Sequence, residues 1–313
     1  MFSDFIEFDD SLDFEGLFGK KYLSLNFIEN EFDVKIDQQK NSFKIFGELK
    51  NVRMSKAILE LISNFLKYEI KLNFDVVKKI SNFVRTHKFD IELFDGKICL
   101  NYRKEVVSIK NFSQLFYLNS IRRNVITFGV GPAGTGKTYL AVAQAVHNFK
   151  NKLFSKIVFT RPVLEAGENL GFLPGDLQSK VDPFFKPLYD AMCSFIGVDV
   201  FSKHLECGVV EVVPLAYMRG RSLNDSFIVL DEAQNTTVGQ MKMFLTRLGF
   251  NSKMVINGDL TQIDLPCRNE SGLFYATKVL KNVKNIGIVK FNKFDVVRNS
   301  LVKKILEAFE ANV

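Results

Sequence analysis

The chain has no tryptophan, three histidines and four cysteines among its 313 residues. Cys99, Cys193, Cys207 and Cys267 form no C-x-x-C pair. That argues against a zinc site or a disulfide framework and suits a reducing compartment, so a cytoplasmic location is expected. The N-terminus, MFSDFIEFDDSLDFEG, is acidic where a secretory signal would be basic and then apolar. No apolar run approaches the roughly 20 residues that span a bilayer, and no membrane partner is expected. What remains is ordinary globular composition, with 47% hydrophobic and 25% charged residues, which excludes wholesale disorder. The formal charge of +7 is by itself a weak pointer to an anionic partner.

Proline is also missing from a whole region. All seven prolines lie at or after Pro132, and 14 of the 19 glycines at or after Gly131. The two parts therefore use different loop chemistry and are expected to fold differently. Charge divides the chain as well: residues 1–19 carry six acids and no base, residues 20–120 carry 18 bases against 12 acids, and the remainder 24 against 17. Three stretches follow: an acidic, Phe-rich tail over 1–19, a small α+β domain over 20–110, and a larger α/β domain over 111–313. In the small domain, strands are expected near Leu23–Phe27 and at Ser42–Phe46. Helices are expected at Met54–Leu66 and Asp75–Val84, where apolar residues recur at helical spacing. A strand-like pair around Ile91–Glu92 and Lys97–Asn101 flanks the turn Asp95-Gly96.

The strongest signal begins at Val125. A buried strand, Val125–Val130, runs into Gly131, Pro132, Ala133, Gly134, Thr135, Gly136, Lys137 and Thr138, and then into a helical pattern. This is G-x-x-x-x-G-K-T between a strand and a helix. Glycines let backbone N–H groups curl around phosphate oxygens, and the helix turns its positive end toward the anion. Lys137 is expected to reach the β- and γ-phosphates of ATP, and Thr138 to ligate Mg²⁺.

A phosphate loop needs a carboxylate on a nearby strand. Ser226–Leu230 ends in Asp231-Glu232-Ala233-Gln234, at the strand end where ligands collect in open parallel sheets. Asp231 is expected to hold Mg²⁺ and Glu232 to orient and polarise the attacking water. Further strands at Ile157–Thr160, Val209–Val213, Met254–Asn257 and Ile286–Lys290 alternate with helices such as Gln178–Ile196 and Thr237–Leu248. That pattern implies one RecA-like P-loop domain with a doubly wound, mostly parallel sheet.

Other residues qualify for the nucleotide. Gly258-Asp259-Leu260-Thr261-Gln262 resembles a motif of superfamily 1 helicases, in which Gln262 would sense the γ-phosphate. Gln114 could pair with the adenine edge while Tyr117 stacks on it. Arg161, Arg219, Arg221, Arg247 and Arg298 are candidates for an arginine finger. Asn292-Lys293-Phe294-Asp295 matches the guanine-reading N-K-x-D pattern, but the acidic strand has no D-x-x-G switch, so ATP is favoured.

Residues 125–310 closely resemble the PhoH-like (phosphate-starvation-inducible) ATPase family. The matching stretches include GPAGTGKTYLAVAQAV, TRPVLEAGENLGFLPGDLQSKVDPFFKPLYDAM, PLAYMRGRSLNDSFIVLDEAQNTT and QMKMFLTRLGFNSKMVINGDLTQIDLP. The resemblance implies a RecA-like ATPase related to superfamily 1 helicases, homo-oligomers that can be rings, and a link to RNA. It also implies a KH-like N-terminal domain, although no G-x-x-G loop occurs in residues 20–110. Arg298 matches the family's D-V-V-R stretch, with Asn299 where the family usually has His. Two functions are expected from this: an ATPase that moves or remodels RNA, or a nucleotide-dependent interaction module without motor activity.

Overall fold

The computed structural model describes residues 2–8, 23–39, 42–67, 74–86, 97–162, 177–267 and 270–297. The chain forms two units, Met1–Gly96 with Ser108–Phe112, and Lys97–Val107 with Ser113–Val313.

The first unit contains β1 (Phe2–Glu7), α1 (Leu23–Phe32), β2 (Lys35–Gln39), β3 (Ser42–Gly47), α2 (Leu49–Lys67) and α3 (Phe74–Thr86). The three strands form an antiparallel sheet in the order β1-β3-β2. Both expected helices are present. Their stripes bury Ile58, Leu61 and Ile62 on α2, and Val77, Ile80 and Val84 on α3.

Two expectations for this unit are corrected. The acidic stretch 1–19 is not all tail, because β1 pairs with β3 from Phe2↔Gly47 to Glu7↔Ser42. Ile6 and Phe8 enter the core, where Phe8 meets Phe43 edge-on at 5.2 Å, and Asp4 pairs with Lys56 at 2.9 Å. Leu23–Phe27 is the start of a helix rather than a strand. Leu23, Leu25 and Phe27 alternate over five residues, but Leu25, Ile28 and Phe32 are the buried positions, and that spacing is helical.

The second unit opens with β4 (Lys97–Leu100) and β5 (Val106–Ser108), which pair with each other. Ile91–Glu92, expected to partner Lys97–Asn101, lies outside the described residues. Then follow α4 (Phe112–Arg123), β6 (Ile126–Val130), α5 (Lys137–Lys150), β7 (Lys156–Arg161), α6 (Leu177–Ile196), α7 (Val198–Glu206), β8 (Val210–Pro214), β9 (Ser226–Leu230), α8 (Val238–Leu245), β10 (Lys253–Gly258), α9 (Gly272–Val279) and β11 (Ile286–Lys290).

Six strands form one parallel sheet in the order β11-β6-β10-β9-β7-β8. Strands covered on both faces read as continuous apolar runs rather than alternating ones, and every residue of β6 and β9 is buried. Phe128, Ile228, Leu230 and Ile256 share a core with Met241 and Phe244 of α8 and Leu273 of α9. Each such side chain contributes about 1.5–3 kcal/mol on leaving water. A capping box between Thr237 and Gln240 starts α8.

Helix α4 is held at its C-terminus by Lys253, whose ammonium donates to the carbonyls of Ile121, Arg122 and Asn124. Burial pulls Lys253 down to about 8. No helix among the described residues is long and apolar enough to cross a membrane.

Candidate nucleotide site

The residues from Gly131 to Thr138 close a loop between β6 and α5, at the C-terminal edge of the sheet. Two glycines are required by its geometry. At Gly131 an added Cβ would lie 2.5 Å from the Phe291 carbonyl oxygen, and Gly136 is left-handed with φ +86°. Gly136 caps α5 without any side-chain hydrogen bond, which leaves first-turn N–H groups to an anion.

Lys137 curls into this loop and donates to the carbonyls of Gly131 at 2.6 Å and Pro132 at 2.8 Å. Burial lowers its pKa, while Asp259, Asp231 and Glu232 pull it back up. An anionic ligand would offer this desolvated ammonium a full countercharge in place of two carbonyl dipoles.

Asp231 follows β9 and is buried. The Thr138 hydroxyl donates to Asp231 Oδ1 at 2.8 Å. Asp231 Oδ2 accepts from Arg161, through Nε at 3.1 Å and through Nη2. Arg161 Nη1 donates to the Phe184 carbonyl on α6. One hydroxyl and one carboxylate side by side suit Mg²⁺, which takes hard oxygen ligands and keeps several waters. Arg161 already shows that this carboxylate accepts a cation.

Glu232 sits in the left-handed region at φ +55°, with its side chain 47% exposed. Gln234 Nε2 donates to Glu232 Oε2 at 2.7 Å, and Gln234 Oε1 accepts from the Asp259 N–H at 3.0 Å. The Asp259 carboxylate in turn accepts from the Ala133 N–H at 3.1 Å. Gln234 and Asp259 therefore brace the acidic strand end and the phosphate loop. Neither was expected as a site residue, although each stands inside a motif already singled out.

Lys137, Thr138, Arg161, Asp231, Glu232 and Gln262 all line one cavity of about 590 Å³. Its far wall is α6, through Pro187, Asp190, Ala191 and Ser194.

The adenine assignments do not hold in this geometry. Tyr117 is fully buried and its hydroxyl donates to Asn257 Oδ1 at 2.5 Å, so it has no face for a base. Gln114 is buried beneath the loop and donates to the Thr135 carbonyl at 3.0 Å. Both match helicase-like spacing, but Gln114 supports the loop from below and Tyr117 ties α4 to β10. Asn292 and Asp295 are bonded to their own turn, accepting from the Phe294 N–H and the Asn292 N–H at 2.8 Å each, so they form a capping box rather than a guanine reader. Arg221 pairs with Glu211, Arg247 donates to the carbonyls of Met243 and Arg221, and Arg219 is exposed outside the cavity lining, so Arg161 is the described candidate that lines the site. Arg298 lies outside the described residues.

Comparison with known proteins gives the family. Residues 106–310 match the family described as PhoH-like protein. The chain belongs to the PhoH-like family. A PhoH-like protein of Bacillus subtilis (strain 168) is 43% identical over 299 residues, covering 94% of this chain and 93% of the relative. One from Synechocystis is 52% identical over 208 residues, 66% of this chain and 63% of the relative. Protein PhoH of Escherichia coli (strain K12) is 45% identical over 202 residues, 64% of this chain and 57% of the relative. Among solved structures, the UvsW helicase from bacteriophage T4 aligns with a TM-score of 0.38 at 12% identity, covering 63% of each chain. With its phosphate loop and acidic strand, this PhoH-like chain has a P-loop NTPase fold.

Proposed function

We propose that the protein is a Mg²⁺-dependent ATPase whose cycle is coupled to binding or remodelling RNA. The observation that carries the reading is the convergence of Lys137, Thr138, Asp231, Glu232 and Gln262 on one cavity at the sheet edge. The loop N–H groups and Lys137 take the β- and γ-phosphates. Thr138 and Asp231 hold Mg²⁺, which neutralises phosphate charge when bound. Glu232 orients the attacking water and accepts its proton, with Gln234 fixing the carboxylate. Gln262, exposed at the mouth, contacts the γ-phosphate. A metal held there would share the Asp231 carboxylate with Arg161. The RNA partner, a homo-oligomeric ring and a cytoplasmic location belong to the same proposal.

Single-turnover ATP hydrolysis tests it. Lys137→Ala should lose nucleotide binding. Glu232→Gln should keep binding and lose about a hundredfold or more in rate; wild-type turnover in that variant would remove Glu232 from its role. Hydrolysis should rise with single-stranded RNA, most strongly at low salt.

A second reading is a nucleotide-dependent interaction module without a motor. The single six-stranded sheet favours it, because a motor that pumps between two such domains needs a second one, from a neighbouring subunit if not in the same chain. ATP turnover indifferent to RNA at every salt concentration would select this second reading.

A further inference from the structure

With Gln114 committed to the Thr135 carbonyl and Tyr117 buried against Asn257, the base of the bound nucleotide needs another place. Sheet order says on which side. Glu232 follows β9 and Gln262 follows β10, and both strands lie on one side of β6. On the reading that this cavity binds a nucleoside triphosphate, the γ-phosphate points that way. The phosphate chain is linear, so the nucleoside leaves the loop on the opposite side, toward β11.

The segment after β11 is built for that position. β11 pairs with β6 as far as Lys290↔Val130, so its exit runs beside the start of the phosphate loop. The Phe291 N–H donates to the Val130 carbonyl at 2.7 Å, and the Val297 N–H donates to the Gly134 carbonyl at 2.8 Å. The segment is thus tied to the phosphate loop at both ends. Between these ties the Asn292–Asp295 capping box fixes its turn. The turn holds out Phe294, 84% exposed, and Val297, 45% exposed. Single exposed apolar residues are common on protein surfaces. This one stands on a hydrogen-bonded turn, next to the loop, on the side where the nucleoside emerges.

We propose that Phe294, with Val297 beside it, is the platform on which the nucleotide base stacks. The ligand class is a purine nucleoside triphosphate. Stacking reads a π-face that adenine and guanine share. The two side chains that would read guanine are bonded within the turn, so adenine and guanine should be accepted alike. Lys293 Nζ lies 5.5 Å from the Phe294 ring centroid, leaving the ring's cation in reach of the same ligand.

Calorimetric titration of the full chain with ATP, GTP and inorganic tripolyphosphate tests the platform. Phe294→Ala should weaken ATP and GTP by about tenfold each and leave tripolyphosphate unchanged; Phe294→Tyr should restore both nucleotides. The platform is refuted if Phe294→Ala binds ATP like wild type. It is equally refuted if tripolyphosphate weakens in parallel, since the loop and not the stack would then have changed. A strong wild-type preference for one base also overturns it. A wild-type chain that binds tripolyphosphate and no nucleotide, or neither, removes the underlying nucleotide reading as well, a result distinct from intact ATP binding that ignores Phe294.

Discussion

Asp231 divides its two oxygens between a hydroxyl and a guanidinium. Thr138 holds Oδ1 and Arg161 holds Oδ2, with the side chain of Asp231 only 4% exposed. Removing Arg161 strands a buried carboxylate, which costs more than the pair contributes. Arg161→Ala should therefore lower stability by about 2 kcal/mol, or roughly 5 °C in Tm, when no divalent cation is present. Mg²⁺ with ATP should raise the Tm of the variant more than that of wild type, because the metal replaces the missing cation. Differential scanning calorimetry with and without Mg²⁺·ATP reads both effects, and equal melting of variant and wild type without metal would show that Arg161 contributes nothing at Asp231. At this scale the sequence was partly legible. Lys137, Thr138, Asp231, Glu232 and Gln262 stand in motifs whose spacing is dictated by phosphate chemistry, and the structure brings them together. Gln234, Asp259 and Arg161 act across strands on partners 25, 126 and 70 positions away. No local pattern records such pairings. Tyr117 failed for the same reason, since its spacing suited a base and its partner Asn257, 140 positions away, put it in the core.

Elements read well where periodicity ran long enough. The parallel strands appear as short apolar runs, and α2 and α3 as stripes. The error at Leu23–Phe27 came from a five-residue window, in which alternation and helical spacing coincide. The edge of the large sheet holds a feature that periodicity does not reveal at all. Glu211 on β8 accepts from Lys156 on the neighbouring β7 and from Arg221. Burial works to raise its pKa, but hydrogen bonds from these two cations outweigh it and hold the carboxyl below its ordinary value of 4.5. A carboxyl depressed by folding stabilises the native state fully above its unfolded pKa, and that contribution is lost as pH falls through the folded value. Glu211→Gln should cost about 1 kcal/mol at pH 7. The difference from wild type should shrink below about pH 4.5 and vanish once wild-type Glu211 is itself protonated. Urea denaturation of both proteins between pH 3 and pH 7 checks this; a difference constant with pH would mean that the carboxylate charge is irrelevant there.

Across the whole molecule, proline and glycine use shifts at Pro132, an antiparallel sheet lies before that point and five of the six parallel strands after it, and the acidic start of the chain supplies a strand. Residues 1–19 carry six acids, which read as an acidic tail. Only Asp4 and Glu7 of those six belong to the described strand, and Asp4 is paired with Lys56. The charge and the fold can therefore be separated experimentally. Deleting residues 1–8 removes two acids, strips β3 of one of its two partner strands, and takes Ile6 and Phe8 out of the core. Losing those two side chains costs about 3–6 kcal/mol, a large share of what a small unit has. Replacing Asp9, Asp10, Asp13 and Glu15 by their amides instead removes four acids and leaves β1 intact. If β1 is structural, the deletion should lower protection of β3 amides in hydrogen exchange, above all of those that faced β1, while the amide variant keeps it. If the acids also compete with an anionic partner, the amide variant alone should bind single-stranded RNA more tightly at low salt, because the positive field grows without loss of the fold. Retention of β3 protection after the deletion would return the first eight residues to the role of a dispensable tail.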